Sequence, residues 1–302
     1  MSFLSGSTSE PFFLWLATPS QAQYDDTDMS WGASPTARCA AALVACTILC
    51  LLSCSSDSGR SSGTTTDPLY LDLPLLYART QTITVDVAYE PGAEPYTTAA
   101  ESVSPCWSIL RDNIEAAAGA DNREVFVPES LSEMSRMAGQ NMETWTTADI
   151  VDLARIMWDT PSSPEDVMVH VIFLKGIFED EQGVNPRMLG ISFGGTSLVA
   201  IFKDVVERSS PSPLIRRFVE QATLVHETGH ILGLVNNGTP MASPHEDAEH
   251  PKHCANPVCV MYWSNEGSID FLDYTDRVTT TGSLVLFCDD CLADCRAFGA
   301  RP

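Results

Sequence analysis

The sequence predicts an α/β domain built in three layers, with a mixed, twisted sheet and a long helix packed beneath it. Segments with the period-2 pattern of strands alternate with segments of helical spacing, in the order β-α-β-α-β-β-helix. The last of these helices covers about 213–230. Beyond Gly233 the chain is rich in proline and has only weak helical signals near its end, which predicts a small, loop-rich C-terminal subdomain.

Each predicted element rests on its own local pattern. Residues 80–91 place Ile83, Val85 and Val87 on one face, as a half-buried strand does. Residues 166–178 are too continuously apolar for a surface strand and suit the centre of a sheet. The other predicted strands are 123–129 and 188–202, and the other predicted helices are 100–120 and 146–159, the second with a threonine cap.

The composition is that of a globular protein with an acidic surface. The chain has 302 residues, of which 44% are apolar and 19% are charged, so it can bury a core. It carries 17 basic and 40 acidic residues, a formal net charge of -23. Because such a charge repels phosphate backbones, we expect no nucleic-acid partner.

An export signal is predicted near the N-terminus, although not at residue 1. The stretch "RCAAALVACTILCLLSC" (38–54) has one positive charge and an apolar run shorter than a spanning helix. Its end resembles a bacterial lipobox, with Cys54 as the lipidated residue. We therefore expect an exported lipoprotein of the cell envelope, periplasmic or on the outer-membrane surface, anchored to the membrane through Cys54.

The alternative for this stretch is a short buried helix, but a Ser/Gly/Thr-rich segment typical of a tether follows it. We interpret 1–28 as a gene-model extension in front of a start at Met29. The predicted organisation of the rest is a signal peptide at 29–54, a flexible tether at 55–68 and a folded domain at 69–302, with its two subdomains meeting near 233.

The predicted helix at 213–230 ends in the motif "HETGH" (226–230). His226 and His230 lie one turn apart on one helix face, where both imidazoles can bind the same metal ion. Glu227 lies on the same side and can take a proton from a water molecule that the metal activates. The alternative interpretation is a pair of histidines that are simply hydrogen-bonded on a buried helix face.

The sequence resembles the metzincin clan of zinc endopeptidases, because "HETGHILG" (226–233) fits HExxHxxG. A second stretch, "HCANPVCVMYW" (253–263), is similar to that of archaemetzincins, in which a ligand histidine precedes two cysteines and the Met-turn methionine, with a CxxC further on. The resemblance implies that His253 is the third zinc ligand and that Met261 forms a floor beneath the ligands. It also implies a second, structural Zn2+ at Cys254, Cys259, Cys288 and Cys291.

The residues themselves leave the third ligand open. The usual position holds Asn236, whose neutral amide binds zinc weakly. Residues 234–252 form an insertion where archaemetzincins have a short link, and leishmanolysin-like metzincins have long insertions at this place. The insertion offers His245 and His250 as alternatives to His253. It also holds carboxylates able to orient the ligands, namely Glu246, Asp247 and Glu249.

The cysteines have a second interpretation. Six cysteines lie outside the leader, and in an exported domain they can form disulfides, with 15 possible pairings. Because the domain is predicted to leave the cytosol, we expect disulfides at these positions rather than the structural zinc.

Together these features predict an exported zinc-dependent endopeptidase that acts on proteins or peptides. Glu227 is the predicted catalytic base. The predicted ligands of the catalytic Zn2+ are His226, His230 and His253. The candidates for stabilising the oxyanion are Tyr262 and Tyr274.

Two other functions compete with this prediction. "GISFG" (190–194) fits the G-x-S-x-G elbow of serine hydrolases, with Ser192 as nucleophile, but the strand before it and the helix after it are poor. In the peptidase interpretation the same segment is an edge strand beside the cleft, where an extended substrate can pair. The other alternative, suggested by Asn236 and the acidic surface, is a surface lipoprotein that binds metal or a partner without catalysis.

Overall fold

The computed structural model describes residues 67–97, 106–118, 123–263 and 284–300, all within a compact unit that spans Ser61–Pro302. The predicted gene-model extension, the signal peptide with Cys54 and nearly all of the tether lie outside the described residues, as does Tyr274. In the part of the chain that is described, no helix is both long and apolar enough to cross a bilayer.

Strands form two sheets in the described residues. They are β1 (Thr82–Tyr89), β2 (Glu124–Phe126), β3 (Ser135–Arg136), β4 (Thr144–Trp145), β5 (Asp166–Leu174), β6 (Ile177–Asp180), β7 (Gly183–Asn185), β8 (Gly190–Ser192) and β9 (Leu198–Phe202). The main sheet has the order β2-β1-β5-β9-β8, with β3 also paired to β1, and the small sheet has the order β4-β6-β7.

The main sheet is mixed, as predicted. Strands β2, β3 and β5 all run parallel to β1, and β9 runs parallel to β5, whereas β8 is antiparallel to β9. Strand β1 pairs with β5 along its whole length, from Thr82 opposite Asp166 to Tyr89 opposite Phe173. The continuously apolar strand β5 therefore lies in the middle of the sheet, which confirms its predicted central position.

Helices cover both faces of this sheet. They are α1 (Leu73–Ala78), α2 (Ser108–Ala118), α3 (Thr147–Met157), α4 (Lys203–Arg208), α5 (Pro213–Ile231) and α6 (Asp289–Gly299). The sequence predicts α2, α3 and α5, and α6 matches the weak helical signal near the end of the chain. Thr146 caps α3 by accepting a hydrogen bond from the backbone N–H of Asp149, which confirms the predicted threonine cap.

Two aromatic contacts on β5 demonstrate the three layers. Phe173 packs against Trp107, at the start of α2, with ring centres 6.2 Å apart. His170 packs against Trp158, at the end of α3, with ring centres 4.6 Å apart. Residues three apart on a strand point to opposite faces. Helices α2 and α3 therefore lie on opposite sides of the sheet, and α5 packs on the α2 side.

Helix α5 is the element that carries the HETGH motif. It begins with Pro213, whose fixed φ suits the first helical position, and every residue from Val219 to Gly229 is buried. The chain leaves the helix through Gly233, which has φ +79°, and a Cβ there would approach Leu73 Cδ1 to 2.7 Å. A glycine is therefore required at this turn.

Two predicted strands are wrong in their extent: 188–202 is divided into the antiparallel strands β8 and β9, and 166–178 is divided as well. Residues 166–178 form two strands of different sheets, because the chain bends at Gly176. That glycine has φ +87°, and a Cβ there would lie 2.6 Å from the carbonyl oxygen of Glu143. The sequence does not reveal this bend, because β5 and β6 both bury apolar side chains and their apolar residues form one continuous run.

Candidate metal centre

One turn of α5 and a distant loop bring three imidazole rings together. His226 and His230 come from α5 and His253 from the loop beyond it, and the three ring centres are 4.8, 5.4 and 5.0 Å apart. The Nε2 atoms of His226 and His230 are separated by 3.2 Å, and one nitrogen from each ring lies within 4.8 Å of the other two. Two imidazoles on one tetrahedral zinc ion hold their nitrogens about 3.3 Å apart, so the spacing fits a shared ion.

Backbone carbonyl groups orient two of these rings. His226 Nδ1 lies 2.7 Å from the carbonyl oxygen of Val260 and His253 Nδ1 lies 3.1 Å from that of Pro251, so each ring donates through Nδ1. A neutral ring that donates through Nδ1 offers Nε2 as its lone-pair nitrogen. Hydrogen bonds of this kind fix the tautomer and orientation of metal-binding histidines.

Glu227 lines an open cleft beside the imidazoles. The residue is 3% exposed, and the cleft of about 320 Å³ is also lined by His230 and His253. Further lining comes from β8 and the turn that follows it, 190–196, at the edge of the main sheet. The segment predicted to be an edge strand beside the cleft therefore has that position. A carboxylate that can act as a base lies next to the candidate metal ligands.

Met261 packs against the helical turn between the two histidines of α5. It is fully buried, and its Sδ lies so close to Gly229 that a Cβ at that glycine would overlap it. Any larger residue at Gly229 would push the methionine away from the helix. The contact agrees with the predicted packing role of Met261.

The other candidates for a third ligand lie apart from the three imidazoles. Asn236 is exposed, and its amide donates to Glu246 Oε2 at 3.4 Å. His250 stacks on Trp263, with ring centres 4.0 Å apart and an interplanar angle of 9°. Among the described residues, His250 is not one of the three histidines whose ring nitrogens could share an ion.

Two carboxylates of the insertion, those of Glu246 and Asp247, shape the loop that leads to His253. Glu246 Oε1 accepts from the backbone N–H of Lys252 at 2.7 Å. Asp247 Oδ1 accepts from the N–H groups of Glu249 at 2.8 Å and His250 at 3.2 Å. The backbone N–H of Asp247 donates to the carbonyl of His253 at 2.8 Å. These bonds act on the loop backbone that presents the third imidazole.

Four buried cysteines form a second candidate metal site. The sulfurs of Cys254 and Cys288 are 3.8 Å apart, those of Cys259 and Cys291 are 3.6 Å apart, and all four lie within 4.8 Å of one another. A disulfide requires about 2.05 Å, and none joins any of the six described cysteines, so the expected disulfides are wrong. Thiolates on one tetrahedral zinc ion lie about 3.8 Å apart, which the cluster matches.

The four thiols resist complete ionisation on their own. A hydrogen bond from Cys259 lowers the pKa of Cys254 to about 7, and one from Cys254 holds the pKa of Cys288 well below its ordinary value. The contacts with Cys254 in turn raise the pKa of Cys259 and of Cys291, because these would become thiolates beside a thiolate. A divalent cation is the group that would allow all four to ionise.

His245, which the sequence offers only as a zinc ligand, lies against the cysteines instead. Its Nδ1 is 3.4 Å from Cys254 Sγ, and its Nε2 is 2.8 Å from Asp294 Oδ2. Burial acts to lower the pKa of His245, but the hydrogen bonds with Cys254 and Asp294 outweigh it and the pKa is raised. Asp294 could not be predicted from the sequence as a site residue, since an aspartate on a weakly predicted helix carries no motif.

Ser192 and Tyr262 are the remaining candidates among the described residues, and Ser192 lines the cleft. Ser192 ends β8 and is followed by a turn and the antiparallel strand β9, so the strand–turn–helix of a nucleophile elbow is not formed. Tyr262 is half-buried, with its ring centre 5.9 Å from that of Trp263.

Comparisons with known proteins give limited similarity. No protein-family model matches the sequence, and no curated protein matches it. A similar solved structure is that of a zinc-dependent peptidase from Methanocorpusculum labreanum, with 10% sequence identity and a TM-score of 0.38. The alignment covers 70% of this chain and 99% of that chain.

Proposed function

We propose that the chain is a zinc-dependent endopeptidase of the metzincin type. One observation carries the proposal: the imidazoles of His226, His230 and His253 converge, and the last two line the same cleft as Glu227, next to a sheet edge. A structural or storage site has no use for a base at that position. The contact of Met261 with Gly229 beneath the two helical histidines supports the metzincin type.

The proposed reaction is hydrolysis of a peptide bond. The three imidazoles would hold a zinc ion, which would supply a Lewis acid and lower the pKa of a water molecule towards about 7. Glu227 takes a proton from the water molecule while the oxygen of that water attacks the carbonyl carbon. The carboxyl group then passes that proton to the amine that leaves as the C–N bond breaks. Because Glu227 is 3% exposed, bulk water screens its carboxylate little.

The substrate is proposed to be an extended segment of a protein or peptide. Strand β8 is the last strand of the main sheet among the described residues and pairs with β9 on one side. Its other side can form main-chain hydrogen bonds with a peptide strand. A Cβ added at Gly194 or Gly195 would meet no atom within 4 Å, so the turn beside the cleft leaves room for such a peptide.

A second zinc ion at the four cysteines completes the proposal. The sulfur spacings of 3.6 and 3.8 Å and the depressed pKa values of Cys254 and Cys288 support it. Structural zinc sites with four cysteines contribute directly to folding. Export and lipid anchoring at Cys54 stay predictions from the sequence, which the mass of the mature N-terminal peptide would test.

Replacing Glu227 by Gln tests the proposed activity. The substitution keeps the shape of the side chain and removes the base, so zinc should stay bound while peptide cleavage falls by about 100-fold or more. The measurements are zinc content and hydrolysis of a casein or peptide-library substrate, with and without a chelator.

Two control variants accompany this test. Glu249→Gln removes an exposed carboxylate from the insertion and Ser192→Ala removes the alternative nucleophile, and both should cleave normally. Undiminished hydrolysis in Glu227→Gln would refute the proposal. Loss of activity in Ser192→Ala, with Glu227→Gln active, would instead indicate a serine hydrolase.

A further inference from the structure

His245 and Asp294 form a buried pair against the four-cysteine cluster, outside the catalytic arrangement. Asp294 is fully buried and His245 is 9% exposed. One ring nitrogen of His245 lies 2.8 Å from the carboxylate, and the other lies 3.4 Å from Cys254 Sγ. A buried carboxylate and a metal-bound thiolate are both hydrogen-bond acceptors, and the ring stands between them as a donor.

The same pair fixes the insertion to α6. Asp294 accepts a second hydrogen bond at Oδ1, from the backbone N–H of Ala242 at 2.6 Å, and Ser243 Oγ donates to Asp290 at 3.0 Å. The carbonyl of His245 accepts from the N–H of Ala255 at 2.8 Å. Residues 242–245 are therefore held between α6 and the segment that begins with Cys254.

The segment 253–261 serves both candidate metal sites. His253 directly precedes Cys254, and Cys259 directly precedes Val260, whose carbonyl accepts from His226. The N–H of Cys254 donates to the carbonyl of Met261 at 2.7 Å and closes the segment into a loop. A displacement of Cys254 is therefore a displacement of the third imidazole as well.

We propose that His245, held by Asp294, is a positioning residue for the four-cysteine metal site and, through Cys254, for His253 in the neighbouring site. It donates a hydrogen bond to the Cys254 sulfur and fixes the insertion to α6. Only the part of the proposal that concerns His253 rests on the proposed function, because the cysteine site binds its metal whether or not the protein cleaves peptides.

Cobalt binding to the full chain tests the proposal. Co2+ is added to metal-free protein, and the thiolate-to-cobalt charge-transfer band reports the cysteine site separately from the three-histidine site. Replacing His245 by Phe keeps a ring and removes both hydrogen bonds. We expect the affinity read from this band to fall by about 10–100-fold, the usual effect of losing a hydrogen bond to a ligand. The affinity for the second equivalent of Co2+, at the histidines, should fall with it.

Further variants separate positioning from a general loss of structure. His245→Asn keeps an amide donor near the place of Nδ1 and should restore part of the affinity, whereas Asp294→Asn should weaken binding as His245→Phe does. His250→Phe changes another histidine of the same insertion, one that stacks on Trp263, and should leave the thiolate band unchanged. Circular dichroism checks that each variant is folded.

The outcomes are distinct. An unchanged affinity at the cysteine site in His245→Phe and Asp294→Asn would overturn the proposal, as would the absence of the thiolate band from the unmodified protein. A thiolate band that weakens in both variants without any change at the histidines would overturn the coupling to His253. Absence of peptide cleavage with the expected cobalt results would count against the proposed function alone.

Discussion

Gly229 is a single residue on which the candidate site depends. It lies between His226 and His230 on α5, and the absence of a side chain lets Met261 pack against the helix. A Cβ would overlap Met261 Sδ and lie 2.9 Å from Phe287 Cε1. The motif in the sequence leaves this position undefined, because HExxH specifies no residue there.

Gly229→Ala should therefore destabilise the protein. Overpacking of this kind costs about 1–3 kcal/mol, whereas helix propensity alone would favour alanine by about 1 kcal/mol. A net decrease in the free energy of unfolding would therefore show that the clash with Met261 outweighs the gain in helix propensity. Metal affinity at the three histidines should fall as well, since Val260 precedes Met261 and holds His226. Denaturant unfolding and zinc titration measure the two effects.

Gly139→Ala is the matched control for this substitution. A Cβ at Gly139 would find only Pro91 Cδ, at 3.9 Å, so both quantities should stay unchanged. A Gly229→Ala protein that is as stable as its parent would show that Met261 can move without cost, and the proposed floor beneath the ligands would have to be abandoned.

The long elements of the fold could be predicted from the sequence, whereas the short ones could not. Helix α5 has a strong periodic pattern and forms where predicted, and the long apolar run of 166–178 contains β5 but continues into β6. Helices α1 and α4 have six residues each, too few to show a period, and β6 is hidden in the apolar run of β5. The bend between β5 and β6 depends on the contact of Gly176 with Glu143, which is distant in the sequence.

The insertion 234–252 is the element that the sequence could describe least. The motif predicts His226, Glu227 and His230 on one helix face, and the structure brings His253 to them. The pattern could not assign His245 to the cysteines, because that depends on Asp294 in α6. Cysteine spacing alone likewise could not decide between a metal cluster and disulfides.

The assignment of His253 as the third metal ligand can be tested by substitution. His253→Ala should weaken metal binding at the histidine site by more than about 100-fold, since hydrogen bonds to the ligands alone are worth about 10–100-fold. Asn236→Ala and His250→Ala should leave that affinity unchanged, because the Asn236 amide donates to Glu246 and the His250 ring stacks on Trp263. Zinc titration against a chelator of known affinity measures all three. Full zinc occupancy in His253→Ala, with loss in either other variant, would assign the ligand elsewhere.

His170 is a buried, titratable residue on the central strand β5. Its ring packs on Trp158 beside α3, and its Nδ1 donates to Ser197 Oγ at 2.9 Å, while the Ser197 hydroxyl donates to the carbonyl of Leu69. Burial lowers the pKa of His170 to about 4. The folded protein therefore keeps this ring neutral at a pH where the unfolded chain, with an ordinary pKa of about 6.5, protonates it.

The stability of the whole molecule should consequently fall in mild acid. Between about pH 6.5 and pH 4 the unfolded chain binds a proton at His170 that the folded protein does not, so the free energy of unfolding decreases as the pH falls. The loss is about 1.4 kcal/mol per pH unit, or about 3 kcal/mol over the window.

Urea unfolding of the metal-free protein and of His170→Gln, at several pH values, measures this contribution. The variant should lose less stability than its parent as the pH falls, because all other titrating groups are shared and cancel in the comparison. Equal pH dependence in the two proteins would show that His170 is not held neutral in the fold.

A sheet edge that can accept an extended peptide can also accept a strand from another molecule, which makes such an edge a site of aggregation. Strand β8 has three residues, and the turn with Gly194 and Gly195 follows it directly. So short an edge supports few intermolecular hydrogen bonds, and the formal net charge of -23 drives copies of the chain apart. A substrate strand would therefore stay on this edge only briefly. For the same reason, the edge is too short to start a growing intermolecular sheet.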